Sequence, residues 1–332
     1  MIDPARYFWK VDDIKKFIDV IAAYKFNKLH IHLTDDDGWR FPVPGYPKLE
    51  SIGSKRAGTA GDKIPHEGMY SKAELKDIVQ YAANHHIEVI PEIDVPDHSQ
   101  ALIAAYPEMA CFPNPNLKVR DHMGESDGLL CASKEQVWKF YRAAFDELKE
   151  IFPSPLVHLG GDEAATTQWD KCPSCMEQRK KENLKDHREQ VGSFFTKMTK
   201  ELETRGKKPL FWYEEYSSGY PEGSTVYTWR QGKTPATIKQ TREKKLNLIC
   251  SAGEFCYFNR SQVQGDVGAG PLSPLENCVM QDPGYNLPLE DQKHIIGVEV
   301  TLWGEKKSQL CSAHSTCCSR AAWPSRKQDG RP

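Results

Sequence analysis

Asp162 and Glu163 are adjacent acids that follow two glycines at the end of an apolar run, LVHLGGDE over residues 156 to 163. Apolar and aromatic neighbours at such a place can raise a carboxyl pKa, which a general acid needs near neutrality. The pair could also cap a helix or sit in solvent, but its position at the end of a strand-like run favours chemistry. Adjacency restricts which chemistry. An ordinary retaining or inverting glycosidase holds its two carboxylates on opposite sides of the scissile bond, about 5 to 9.5 Å apart. Chain neighbours have Cα atoms about 3.8 Å apart and leave from one wall of a cleft. They suit a division of labour in which Glu163 protonates a leaving oxygen while Asp162 grips a group on the substrate itself.

Trp39, Trp212, Trp229 and Trp303, half of the eight tryptophans, also fall at the ends of apolar runs. Exposed indole faces pack on the C–H faces of sugar rings and the indole N–H can donate, so four together point to a cleft for a sugar or planar ligand. His30 and His32 offer a rival chemistry, because an HxH on one strand has the spacing of two zinc ligands in a barrel metallohydrolase. Such a site would want a lysine or more histidines at later strand ends, where this chain supplies acids and tryptophans. The simpler expectation for His30, His32 and His158 is hydrogen bonding within the core. Cys172 and Cys175 form a CPSC pair without a second pair at zinc-site spacing, so a local disulfide or two plain thiols is the simpler reading. Cys111 and Cys131 flank a 19-residue loop that a bridge between them would restrain.

The elements that must position these residues are legible as an alternation. Apolar runs at 28 to 35, 87 to 94, 156 to 163, 208 to 215, 224 to 230, 246 to 253 and 295 to 305, with the opening MIDPAR, make eight. Between them, 12 to 24, 72 to 86, 134 to 152, 189 to 205 and 234 to 245 carry helical periodicity. Ser71, with Glu74 three residues on, and Ser133 stand as helix caps. This pattern predicts an α/β fold, a (β/α)8 barrel, lacking a regular final helix. The polar residues gather at the carboxyl ends of the runs, the face on which barrel enzymes build their sites. Connections 36 to 71, 95 to 133 and 254 to 294 are long enough to wall a cleft. Residues 1 to 305 form the barrel domain. Residues 306 to 332, with three cysteines, six basic residues and one acid, read as an irregular tail.

With 332 residues, 44 Lys and Arg against 46 Asp and Glu, and a net charge of -2, the chain lacks the basic excess that selects nucleic acid or an anionic membrane surface. No stretch approaches the roughly 18 apolar residues of a membrane span. The first residues lack a secretion signal, so export would depend on a signal outside this sequence.

Ordered motifs through residues 1 to 305 give the chain a family resemblance. HLGGDEA is the most specific, joined by DPAR, HLTDDDGWR, PEIDVPDHSQA followed by AYPE, the Tyr of CYF, and the closing LWGE. In these the sequence resembles the catalytic barrel of the family 20 glycoside hydrolases, the β-N-acetylhexosaminidases. The resemblance implies exo-hydrolysis of terminal β-linked GlcNAc or GalNAc from glycans. The implied mechanism is substrate-assisted and retaining, an exception to the two-carboxylate scheme. It implies Glu163 as acid and then base, and Asp162 orienting the acetamido N–H, with Tyr257 donating to the acetamido oxygen. Asp35 and His98 would stand behind Glu163, and Arg6 and Glu305 on the distant hydroxyls. Trp212, Trp229 and Trp303 would wall the sugar pocket, with no metal or cofactor. Asn259 stands where the family usually has an acid near the outer hydroxyls, and Asp97 where a glycine usually precedes His98. These departures keep a noncatalytic N-acetylhexosamine-binding relic as the alternative.

Overall fold

Seven parallel strands lie side by side in chain order: β1 (Lys28–His32), β2 (Glu88–Glu92), β3 (Leu156–His158), β4 (Lys208–Trp212), β5 (Thr225–Thr228), β6 (Asn247–Cys250) and β7 (Ile295–Val298). The eighth stave is the opening segment. Ile2 bridges in parallel to Ile31 on one side and to Leu302 on the other. Its N–H donates to the His30 carbonyl and its carbonyl accepts from His32 N–H, both at 3.0 Å. The sheet thereby closes into the expected (β/α)8 barrel. The computed structural model describes the chain except for residues 60–61, 123–127, 217–218, 266–269, 281, 285–286 and 305–332, so the expected tail and Glu305 lie outside the described residues.

The crossovers are α1 (Val11–Ala23), α2 (Lys72–Asn84), α3 (Glu135–Ile151), α4 (His187–Glu203), α5 (Thr234–Glu243) and α6 (Leu289–His294). The first five lie within about two residues of the expected spans; the sixth falls inside the segment expected to be a loop. The first five turn an apolar face to the barrel, as Ile14, Phe17, Ile18 and Ile21 do on α1, whereas α6 buries none of its residues. Ser71 caps α2 with a full capping box: Glu74 N–H donates to Ser71 Oγ at 3.2 Å and Ser71 N–H to Glu74 Oε2 at 2.7 Å. Ser133 does not cap α3. Lys134 takes that position without a side-chain bond, and Ser133 Oγ donates to Ser174 Oγ at 2.9 Å instead. Among the described residues no helix is long and apolar enough to cross a membrane.

Period-two alternation splits each strand between two cores. Outward residues such as Leu29, Ile31, Val89 and Phe211 pack under the helices. Inward residues fill the barrel in layers: Met1, Ile90, Leu210 and Tyr227 are apolar, and above them sit His30, His32, Glu92, His158 and Trp212. Polarity therefore rises toward the carboxyl ends of the strands, where the acids emerge.

Candidate active site

The GGDE turn after β3 is built around a buried acid. Gly160 and Gly161 have φ of 62° and 94°, and Asp94, at the end of the β2 run, lays its carboxylate against them. Gly161 N–H donates to Asp94 Oδ1 at 3.0 Å, and a Cβ on Gly160 would stand only 1.6 Å from the same oxygen. Glycine is thus required at 160 for space as well as for backbone conformation. Burial, reinforced by the charge of Asp162, holds the Asp94 carboxyl well above the usual range. The chain then turns through Asp162 to Glu163, whose own φ of 51° is in the left-handed region that non-glycine residues adopt at a cost. Gly160→Ala is expected to displace this turn, destabilising the fold by more than about 1 kcal/mol and lowering turnover about 100-fold, the effect of a misplacement near 1 Å. Parallel thermal unfolding and rate measurements check both.

The four residues expected at the chemical centre are brought together. His98, also at φ 51°, sits between two pairs of acids. Its Nε2 lies 3.7 Å from Glu163 Oε2 and 3.8 Å from Asp162 Oδ2; its Nδ1 lies 3.5 Å from Asp35 Oδ1 and 3.6 Å from Asp36 Oδ2. Burial opposes the imidazolium, but the Asp35 charge and the facing Asp36 and Asp162 hold its pKa well above 6.5. Asp162 is pushed up to about 7, first by burial, against the pull of His98 and with the help of Glu163. Its side chain is 14% exposed while that of Glu163 is 54% exposed, so the two neighbours present different faces to a ligand. Asp97, the departure from the family pattern, has a structural role. It accepts from His98 N–H at 2.9 Å and from Ala165 N–H at 2.8 Å, lacing the His98 turn to the DEA segment.

Asp35 also joins this centre to Arg6. Arg6 bonds Asp35 Oδ2 and Asp3 Oδ2, each at 2.8 Å, and its guanidinium lies 5.2 Å from the Trp303 ring. Trp303 in turn lies 5.6 Å from Trp212 and 6.1 Å from Tyr257, so Arg6, Trp303, Trp212 and Tyr257 are contiguous. Trp212 forms the floor: it is 1% exposed and its indole N–H donates to Glu92 Oε1 at 2.8 Å. Trp229 carries the Arg230 guanidinium 4.3 Å from its ring, and Arg230 grips Glu214, whose Oε1 faces Glu163 N–H at 3.4 Å. Asn259 is buried two residues beyond Tyr257. Trp39 departs from expectation. It is 1% exposed, its N–H donates to the Phe41 carbonyl, and its ring meets Phe140 edge to face, so it belongs to the core under α3 and not to the cleft.

The histidine pair reads as a hydrogen-bonded core. His32 meets Glu92 through Nδ1 and Asp35 Oδ2 through Nε2, at 2.8 Å for the latter, so both of its nitrogens have carboxylate partners. His30 Nε2 lies 3.1 Å from Glu92 and its Nδ1 3.0 Å from Glu299, and His158 Nδ1 lies 2.8 Å from Glu92 Oε1. Burial would raise Glu92, yet the surrounding histidines hold it well below the usual carboxylate range. A chain of charge contacts therefore runs from Glu92 through His32, Asp35 and His98 to the two acids. Asp94, Glu92, Glu214 and the Asp36–Arg120 pair, 2.9 Å apart, were not singled out from the sequence. The acids among them lie in the strand-end clusters that mark the active face, which was the available signal.

Among the buried polar atoms of this region that have no hydrogen-bond partner among the described residues are Asp162 Oδ1, Trp229 Nε1 and Trp303 Nε1. Buried polar groups are rarely left so unless a ligand or water completes them. Comparison with known proteins is consistent over nearly the whole chain. A β-hexosaminidase of Akkermansia muciniphila is 50% identical over 312 residues, covering 93% of this chain and 63% of that protein. A β-hexosaminidase of Porphyromonas gingivalis is 35% identical, over 92% of this chain and 39% of its own length. The present chain thus spans between about two fifths and two thirds of those relatives. The crystal structure of a β-N-acetylhexosaminidase superposes with a TM-score of 0.93 at 48% identity, covering 97% of this chain and 71% of that one. The exo-β-N-acetylglucosaminidase of Vibrio harveyi in complex with N-acetylglucosamine superposes at 0.82 with 26% identity, covering 99% and 54%. Residues 1–323 match the catalytic domain of glycosyl hydrolase family 20, and with it the barrel, the GGDE turn and the acids around His98 find one explanation: this chain belongs to that family.

Proposed function

We propose that the chain is the catalytic part of an exo-acting β-N-acetylhexosaminidase that removes terminal β-linked GlcNAc or GalNAc from glycans by substrate-assisted, retaining hydrolysis. The observation that carries this reading is Asp162 Oδ1, a buried acceptor beside Glu163 with no donor among the described residues. Leaving such an atom unpaired costs roughly 1 to 3 kcal/mol, and a sugar's acetamido N–H supplies the donor. The two relatives and the solved structure at 48% identity described above carry names of this activity.

In this mechanism the acetamido oxygen attacks the anomeric carbon as the bond to the leaving oxygen breaks, and Glu163 gives that oxygen its proton. The product is a bound oxazolinium ion. Glu163, now a carboxylate, takes a proton from water, whose oxygen opens the ring and restores the starting configuration at the anomeric carbon. Asp162 holds the acetamido N–H and faces the positive charge, and Tyr257 donates to the acetamido oxygen. Asp35 and His98 position Glu163, Arg6 and Glu305 take distant hydroxyls, and Trp212, Trp229 and Trp303 wall the sugar with Asn259 at its outer edge. A tethered nucleophile suits two acids on one wall, because well-oriented intramolecular attack carries effective molarities on the order of 10⁵ M or more.

The test is turnover of a chromogenic N-acetyl-β-glucosaminide beside the matching β-glucoside. Rapid release from the first and almost none from the second is expected. Binding of N-acetylglucosamine without any turnover would replace this reading with the noncatalytic sugar-binding one.

A further inference from the structure

We propose that Cys111, Cys131, Cys172 and Cys175 form a structural zinc site that staples the loop carrying His98 to the loop carrying the catalytic acids. The fold supplies the second cysteine pair that the spacing of CPSC lacks. Ala110 and Leu130 bridge as antiparallel partners, and Cys131 N–H donates to the Met109 carbonyl at 2.9 Å, which sets Cys111 and Cys131 side by side at the base of the long loop after β2. Cys172 precedes, and Cys175 lies within, the first turn of the helix Pro173–Lys181 after β3. All four are free and buried, between 0% and 9% exposed.

The sulfurs share one centre. All four lie within 4.8 Å of one another, and Cys131–Cys175, Cys111–Cys175 and Cys131–Cys172 are 3.5, 3.7 and 3.9 Å apart. A tetrahedral zinc with Zn–S bonds near 2.3 Å needs sulfurs about 3.8 Å apart. Packed thiols acting as small hydrophobes have no reason to converge four at a time, and a disulfide would draw one pair to about 2.05 Å. Hydroxyls surround the cluster as partners for thiolate: Ser133 Oγ lies 3.3 Å from Cys131 Sγ, and Ser174 Oγ 3.2 Å from Cys172 Sγ. The helix N-terminus and Lys134, whose ammonium donates to the Ala110 carbonyl, offset the negative charge of four thiolates around one divalent ion. A closed set of four sulfur ligands leaves no open position, which makes the site structural and not catalytic.

The staple reaches the active site through both hydrogen-bonding groups of the Leu130 backbone. Leu130, next to Cys131, donates its N–H to the Pro96 carbonyl at 2.8 Å, two residues before His98. Its own carbonyl accepts from Trp169 Nε1 at 2.9 Å, six residues after Glu163.

The experiment is elemental analysis of the chain purified without chelator or added metal, paired with growth in cobalt. One zinc per chain is expected, and the cobalt form should show the thiolate charge-transfer and d–d bands of tetrahedral sulfur coordination. Cys131→Ser should lose the metal and lower the unfolding midpoint by roughly 5 to 10 °C. If that variant does not fold, the stoichiometry and the cobalt spectrum of the unaltered protein decide. Metal-free protein with these thiols all titratable, a mass two hydrogens lighter for each bridge, or iron in place of zinc would each overturn the proposal.

Discussion

Glu163→Gln is expected to lower kcat on a glycoside with a poor leaving group, such as a second sugar, by about 10²- to 10⁴-fold, with KM little changed. A sugar alkoxide cannot depart without a proton, and the amide has none of the required acidity. An aryl glycoside whose phenol leaves readily as the anion needs little protonation, so the loss on the first step should shrink as the leaving group improves. The position of Glu163 supports this separation of binding from proton transfer. Its carboxylate is half exposed at the cleft, while its backbone is fixed by the left-handed turn and by the Glu214 carboxylate facing its N–H. Glutamine preserves the shape and hydrogen-bonding reach, so the pocket should still take up the sugar. The measurement is kcat and KM across a series of leaving groups. A loss that does not depend on leaving-group ability would remove Glu163 from the role of acid.

The sequence revealed most of this machinery because chemistry and fold use different periods. Strand-end acids break the apolar alternation, and helical stripes recur at 3.6 residues, so the barrel, the GGDE turn and the His98 segment could be read in one dimension. Tryptophan could not be sorted in the same way. Trp39 and Trp303 both follow apolar runs, yet Trp39 is turned into the core by its bond to the Phe41 carbonyl while Trp303 lies against Arg6. Which way an indole turns depends on tertiary packing. The cysteine cluster was hidden for a related reason: Cys111 and Cys172 are far apart in sequence, and only the adjacency of successive barrel loops brings their sulfurs together. Asp94 was quoted within a motif without a role, because its task is to pack on a glycine that follows a different strand. Asp97 illustrates the converse, a departure from the family pattern whose carboxylate accepts two backbone N–H bonds, from His98 and from Ala165.

Asp162→Asn is expected to reduce kcat on N-acetylated substrates by on the order of 10²- to 10³-fold, the usual effect of removing a preorganised group that faces developing charge. As the acetamido oxygen attacks, positive charge spreads onto the acetamido nitrogen, and the carboxylate that accepts its N–H becomes a stronger partner in the transition state than in the ground state. Asparagine keeps an acceptor but removes the charge and can turn its donor toward the N–H. The ionised form is the useful one, and this gives a pH signature. Burial, together with the nearby Glu163, pushes Asp162 up to about 7 in the unliganded protein. As pH falls through that value the carboxylate takes a proton, so kcat/KM should decline on the acid side of about 7. In Glu163→Gln, assayed with an activated aryl substrate, one of the charges raising Asp162 is gone and this limb should move to lower pH. Successive fluorination of the acetamido methyl group isolates the nucleophile, since each fluorine weakens the carbonyl oxygen. Rates of the unaltered protein should fall steeply along that series. A flat response, or a glycosyl group trapped covalently on the protein, would show that the attacking atom belongs to the enzyme and would leave Asp162 without the role argued for it.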